Sequence, residues 1–158
     1  MRVHIGGDHA AYELLGELVG FLTAEGHEVT NHGPLEYDAL DDYPVYVLRA
    51  AQAVAADPDS LGVVLGGSGN GEQLAANKVA GIRAALCYNE ELAQLAREHN
   101  NAQVISIGAR MTAVDEAKAM VATFLATPFS NDPRHVRRLE MVAAYERDGV
   151  LPPLPSSD

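Results

Sequence analysis

The stretch Leu65-Gly66-Gly67-Ser68-Gly69-Asn70-Gly71-Glu72-Gln73 limits the fold more than any other part of the chain. Four glycines fall within six residues, after the apolar run Leu61-Gly62-Val63-Val64-Leu65 and before the helix-compatible segment from Gln73 to Lys78. A buried strand that feeds a glycine loop and then a helix turns backbone N–H groups towards an anion or a developing oxyanion. The chain then places a carboxylate, Glu72, in the first helical turn, which does not suit a loop built only to hold phosphate.

The rest of the chain repeats the strand-then-helix unit. Val3 to Gly7 reads as a strand running into a loop at Asp8-His9. From Ala10 to about Glu25, Leu14, Leu15, Leu18, Val19 and Leu22 recur at helical spacing, with Gly26 as the stop. Glu28 to Thr30 is a second strand, and Pro44 suits the first turn of a helix reaching about Ala56. Ser60 to Leu65 is the third strand, Ile82 to Cys87 the fourth and Val104 to Gly108 the fifth. Asn89 caps a helix from Glu90 to about Glu98, and helices over 113–126 and 133–147 follow the fifth strand. Five alternations predict a doubly wound parallel α/β sheet in a single domain over 1–149, with a Pro/Ser-rich tail over 150–158. Ligands of such sheets bind beyond the carboxyl ends of the strands. Asp8-His9, the glycine loop and Arg110 are expected there. His99-Asn100 stands apart, because it precedes the fifth strand.

Composition then excludes whole classes of function. The 158 residues carry a formal net charge of −11, a field that repels nucleic acid and anionic lipid, and no basic stripe offsets it. No apolar run is long enough to span a bilayer. The N-terminus opens directly on a strand without a leader-like region, and the single Cys87 has no partner for an internal disulfide; both point to a cytoplasmic address. No His/Cys set has metal-ligand spacing, so neither a metal nor another cofactor is expected.

The glycine loop fails the tests for the common phosphate motifs. Gly66 and Gly71 match the glycines of a P-loop, but Glu72-Gln73 stand where lysine and a hydroxyl must be. The dinucleotide fingerprint fails on spacing and on its place after the third strand. Glu72 has two readings: a carboxylate that complements the helix dipole, or a general base beside a ring of N–H donors. The helix terminus lowers its pKa and burial raises it, with the balance left to the fold. Ser68 either donates to the same oxygen or closes the turn. Arg134 and Arg138 share a helix face; they are either a solvated patch paired with Asp132 and Glu140, or the basic cluster that an acidic chain needs to capture a phosphate.

Taken together, Gly6-Gly7-Asp8-His9-Ala10, Asp42-Tyr43-Pro44, Gly66 to Gly71, Ala75-Ala76-Asn77-Lys78, Gly81-Ile82-Arg83-Ala84 and Arg97-Glu98-His99-Asn100 resemble the ribose-5-phosphate isomerase B family, which also contains galactose- and allose-phosphate isomerases. The run Gly67-Ser68-Gly69-Asn70-Gly71-Glu72 is similar to its actinobacterial-type branch. The resemblance implies a three-layer α/β/α Rossmann-like sandwich with strand order 2-1-3-5-4. It implies a homodimer whose sites draw on both subunits, which would resolve the misplaced His99-Asn100. Many members of the family carry a catalytic cysteine where this chain has Gly66; in the branch resembled here the glutamate is the base. Carried over, Glu72 is the base, His99 the acid that opens the sugar ring, and Ser68 an assistant. Asp8 and His9 contact the sugar phosphate, Gly67, Ser68, Gly69, Asn70 and Gly71 form the anion hole, Asn100 holds a hydroxyl, and Arg110, Arg134 and Arg138 bind the phosphate. The activity implied is interconversion of D-ribose 5-phosphate and D-ribulose 5-phosphate through a cis-enediolate. The alternatives are a six-carbon sugar-phosphate isomerase or a non-catalytic sugar-phosphate sensor.

Overall fold

The computed structural model describes residues 1–155. Its five strands are β1 (Arg2–Gly7), β2 (Glu28–Asn31), β3 (Ser60–Gly66), β4 (Ala84–Leu86) and β5 (Val104–Gly108). They form one sheet in the order β2-β1-β3-β5-β4, with every pairing parallel. That is the order the resemblance implied. The central strand β3 is buried along its whole length, the pattern of a strand covered on both faces.

Six α-helices surround the sheet: α1 (Tyr12–Ala24), α2 (Tyr43–Ala56), α3 (Asn70–Ala76), α4 (Glu90–Asn100), α5 (Val114–Ala126) and α6 (Pro133–Asp148). Two apolar cores sit on the two faces of the sheet. The larger packs Leu14, Leu15, Leu18 and Leu22 of α1 and Met120, Val121 and Phe124 of α5 against Ile5, Val63 and Ile107. The smaller packs Val47, Ala50, Ala51 and Val54 of α2 against Val64 and Val104. The result is an α/β/α sandwich.

Several boundaries differ from the sequence expectation for local reasons. His9–Ala11 is a short 3₁₀ turn, because the Asp8 side chain accepts from the Ala10 N–H and caps the chain one turn before α1. Helix α3 starts at Asn70, so most of the glycine stretch is a tight turn and Glu72 lies inside the helix. Strand β4 is only Ala84–Leu86; Asn77 ties down its start by accepting from the Ala84 N–H and donating to the Ala84 carbonyl. Helix α4 runs on to Asn100 and stops where Asn101 turns left-handed, at φ 43°. Residues 151–155 of the expected tail have no regular structure and are exposed; 156–158 lie outside the described residues.

Phe124 is fully buried, and the Arg97 guanidinium carbon lies 5.7 Å from its ring centroid. Phe124→Ala is expected to cost about 3–5 kcal/mol, read as a lower urea midpoint with an unchanged slope.

Candidate active site

The glycine turn is held from below by β5. Ala109 N–H donates to the Gly66 carbonyl at 2.7 Å, Arg110 N–H to the Gly67 carbonyl at 3.1 Å, and the buried Ser106 hydroxyl to the Gly69 carbonyl at 2.7 Å. These bonds occupy the carbonyls of Gly66, Gly67 and Gly69. The N–H groups of Gly67 and Ser68 have no acceptor among the described residues, whereas at the start of α3 the Asn70 N–H is taken up by Ser68 Oγ. Gly69 supplies the left-handed cap, φ 81°, and any side chain there would collide with Leu86 and the Ile107–Gly108 backbone.

Glu72 folds back under this turn and is 4 % exposed. A Cβ added at Gly66 would land on its carboxylate, so residue 66 has no side chain because the carboxylate fills that space. Burial pushes the Glu72 pKa above the ordinary glutamate value, with nearby Asp8 adding to the rise. The N–H groups of Glu72 and Gly69 pull the other way and lose. The balance that composition left open is therefore decided by desolvation.

Around this carboxylate the structure gathers Asp8, His9 and Arg110. Asp8 is buried, and a Cβ on Gly67 would lie 3.3 Å from Arg110 Nη1. Ser68 Oγ accepts from the N–H and the side-chain amide of Asn70, at 3.3 and 3.1 Å, so it closes the turn while its own proton stays available. Two neighbours escaped the residue-by-residue reading. Tyr43 packs against the turn, where a Cβ on Gly71 would lie 2.7 Å from its ring carbon Cζ. Its signal was already present in Asp42-Tyr43-Pro44. Asp41 had no signal: it meets His9 Nδ1 at 2.7 Å across 32 residues of sequence. Asp8, His9 and Asp41 place potential ligand atoms within 4.8 Å of one another. The direct His9–Asp41 bond makes this a hydrogen-bonded pair, which an ion would have to part. Cys87, on the core side of β4, has a thiol pushed up to about 12 by burial and is inert at neutral pH.

His99 and Asn100 lie elsewhere. They close α4 just before β5, whereas the glycine turn meets the end of β5, and the strand between spans about 15 Å. The α6 residues gather with His99. The His99 and His135 rings are 4.2 Å apart, and buried His135 hydrogen bonds through Nδ1 with Ser130 Oγ at 2.8 Å. Burial, and then His99, lower the His135 pKa, with Arg134 and Arg138 acting in the same direction. Arg134 is exposed and pairs with Asp132 at 3.3 Å. Arg83 and half-buried Arg97 clamp the turn beyond His99 by donating to the carbonyls of Asn100, Asn101 and Ala102. One chain thus carries two clusters of polar side chains at opposite ends of its sheet. The first holds Asp8, His9, the glycine turn, Glu72 and Arg110; the second holds His99, Asn100, Arg134 and Arg138.

The fold and the first cluster define a three-layer α/β protein with a buried carboxylate beside the open N–H groups of Gly67 and Ser68. The chain belongs to the Ribose/Galactose Isomerase family, whose model matches residues 3–142. It is 55 % identical over 157 residues to a ribose-5-phosphate isomerase B of Mycolicibacterium paratuberculosis, covering 99 % of each chain. To the Escherichia coli protein of that name it is 36 % identical over 146 residues, covering 92 % of this chain and 97 % of the other. Among solved structures, the Mycoplasma genitalium ribose-5-phosphate isomerase B with bound ribulose-5-phosphate superposes with a TM-score of 0.90 at 35 % identity, covering 93 % of this chain and 97 % of that one. The Clostridium thermocellum protein gives 0.89 at 38 % identity, covering 95 % and 100 %.

The raised pKa of Glu72 has a consequence for stability. A group whose folded pKa lies above its unfolded value favours the fold while protonated, and that contribution is lost as pH rises through the folded value. At pH 7, above the unfolded value, Glu72 is therefore a burden on the fold. Glu72→Gln is expected to raise Tm at pH 7, and the gain should vanish near about pH 4. Thermal unfolding at the two pH values checks it.

Proposed function

We propose that this chain interconverts D-ribose 5-phosphate and D-ribulose 5-phosphate, the activity named for its relatives. The observation that carries the reading is the buried, pKa-raised carboxylate of Glu72 beneath a turn with free N–H donors. Isomerisation moves a proton from C2 of the aldose to C1 while a second proton moves between the oxygens. C2 is oxidised as C1 is reduced, so the electrons balance within the substrate and no redox partner takes part. Glu72 removes the C2 proton. Its raised pKa brings it closer to neutrality and makes it a stronger base than a solvated carboxylate. The electron pair moves onto the carbonyl oxygen to give a cis-enediolate, which the open N–H groups of the turn and the Ser68 hydroxyl stabilise. Glu72 then returns the proton to C1. Tyr43 and Asp8 border the sugar, and His9 and Arg110 attract the phosphate end.

The second cluster completes the reading if two chains pair. His99 of one subunit would open the furanose ring bound at the other's glycine turn, Asn100 would hold a hydroxyl, and Arg134 and Arg138 would close on the phosphate. Support comes from the distance that keeps His99 from Glu72 within one chain. The exposed apolar residues Leu74, Tyr88, Met141, Val142 and Tyr145, on or close to elements that carry the two clusters, also support it. No helix among the described residues is long and apolar enough to cross a membrane, and the reading needs no membrane.

Glu72→Gln should retain binding of ribose 5-phosphate and lose about 10²–10⁴-fold in kcat. Near-native turnover, or undiminished exchange of solvent protons into ribulose 5-phosphate, would remove Glu72 from its role. The pairing has its own test. Glu72→Gln and His99→Asn homomers should each be severely impaired, and co-expressing them should recover roughly a quarter of wild-type activity, because half of the dimers would be mixed and carry one intact site. No recovery would place both residues in a site built by one chain.

A further inference from the structure

His9 lines a cavity of about 590 Å³ together with Arg110, Tyr12, Glu13 and Tyr37. Its ring is gripped from behind. Asp41 Oδ1 accepts both the His9 backbone N–H, at 2.9 Å, and Nδ1, at 2.7 Å. Asp41 sits on the connection between β2 and α2, yet its side chain is only 5 % exposed. Its other oxygen, Oδ2, is buried with no partner among the described residues. A carboxylate taken out of water in this way needs a compensating positive charge, and the His9 ring is the one cationic group that hydrogen bonds to it. The connection around Asp41 is itself anchored: Leu40 N–H donates to Asp38 Oδ1 and Asp41 N–H to the Asp38 carbonyl.

We infer that Asp41 is a positioning residue for the reaction: it locks His9 with the proton on Nδ1, leaves Nε2 as the free ring nitrogen, and keeps the ring cationic for the substrate phosphate. Every charged neighbour of the ring bears on this. The hydrogen bond to Asp41 is the largest influence on the His9 pKa and raises it, burial opposes it, Asp8 on the same turn raises it further, and Arg110 lowers it. Glu13 and the two tyrosines line the same cavity. A fixed imidazolium beside Arg110 gives an acidic protein a local place for a dianion, as a charge-assisted hydrogen bond rather than a diffuse field. The inference rests on the isomerase reading for what His9 grips; the state of the His9 ring can be measured without it.

The test uses the full-length protein with ¹⁵N-labelled histidine, the His9 signals being assigned by their loss in His9→Asn. In the wild type, His9 should carry its proton on Nδ1 and titrate above the ordinary histidine value of 6.5. In Asp41→Asn, which keeps an acceptor but removes the charge, the titration should fall to that value or below. A wild-type His9 that titrates at or below 6.5, or one that Asp41→Asn leaves unmoved, overturns the inference; the wild-type measurement decides even if the variant fails to fold. In the isomerase assay, KM of Asp41→Asn for ribose 5-phosphate should exceed that of the wild type by about tenfold at a pH between the two measured His9 titration midpoints. It should converge on the wild type at a pH below both midpoints, with kcat little changed. A KM raised equally at both pH values would mean that Asp41 only shapes the loop, and would also overturn it. A wild type without isomerase activity would instead overturn the proposed function, while the histidine titration still decided the pair.

Discussion

The structure around the site depends on one packing relation, the carboxylate of Glu72 lying in the space that a side chain at Gly66 would need. That relation demands a glycine at the end of β3 and a turn tight enough to bring α3 back over the strand. It also demands a partner strand that holds the turn's carbonyls. Each demand is met by a named contact: Gly69 at φ 81°, Ala109 on the Gly66 carbonyl, and Ser106 on the Gly69 carbonyl. With these carbonyls committed, the N–H groups of Gly67 and Ser68 remain open, and the buried acid beneath them is pushed up in pKa by desolvation. The same geometry means that any side chain at position 66, a cysteine included, would compete with the Glu72 carboxylate for one volume.

Charge is handled locally. A chain of net charge −11 repels a phosphate at long range, so its cations must act at close quarters. They stand in two groups at opposite ends of the sheet, His9 with Arg110 and Arg134 with Arg138, and each is steadied by acids. Asp41 grips the His9 ring, and Asp132 caps α6 through the Arg134 N–H while pairing with its guanidinium. The two groups are separated by the length of β5.

Legibility in the sequence followed the range of the interaction. The glycine turn, the first-turn position of Glu72 and the helix faces are short-range features, and their residue spacing displayed them directly. The alternation of strands and helices implied a parallel sheet, but the exchange of β4 and β5 in the strand order came through the family resemblance. No local pattern states which edge a strand will join. Tyr43 was visible only as part of a quoted motif, because its contact with Gly71 crosses 28 residues. Asp41 was not visible at all. One acid in a loop that also holds Asp38 and Asp42 has no distinguishing spacing, and only the folded connection selects it as the partner of His9.

The sequence by itself determined the class of fold, the glycine turn and the carboxylate beside it. It did so because backbone turn geometry and hydrophobic period are set by neighbours in the chain. Tertiary structure decided the rest: that burial outweighs the helix terminus at Glu72, that Ser68 closes the turn with its proton to spare, that His9 is clamped by Asp41, and that His99 and Asn100 face away from the glycine turn of their own chain. The physical reason is common to all four. Desolvation and hydrogen-bond partnership depend on which distant segments the packed sheet brings together, and residue order alone does not encode those distances in any local pattern.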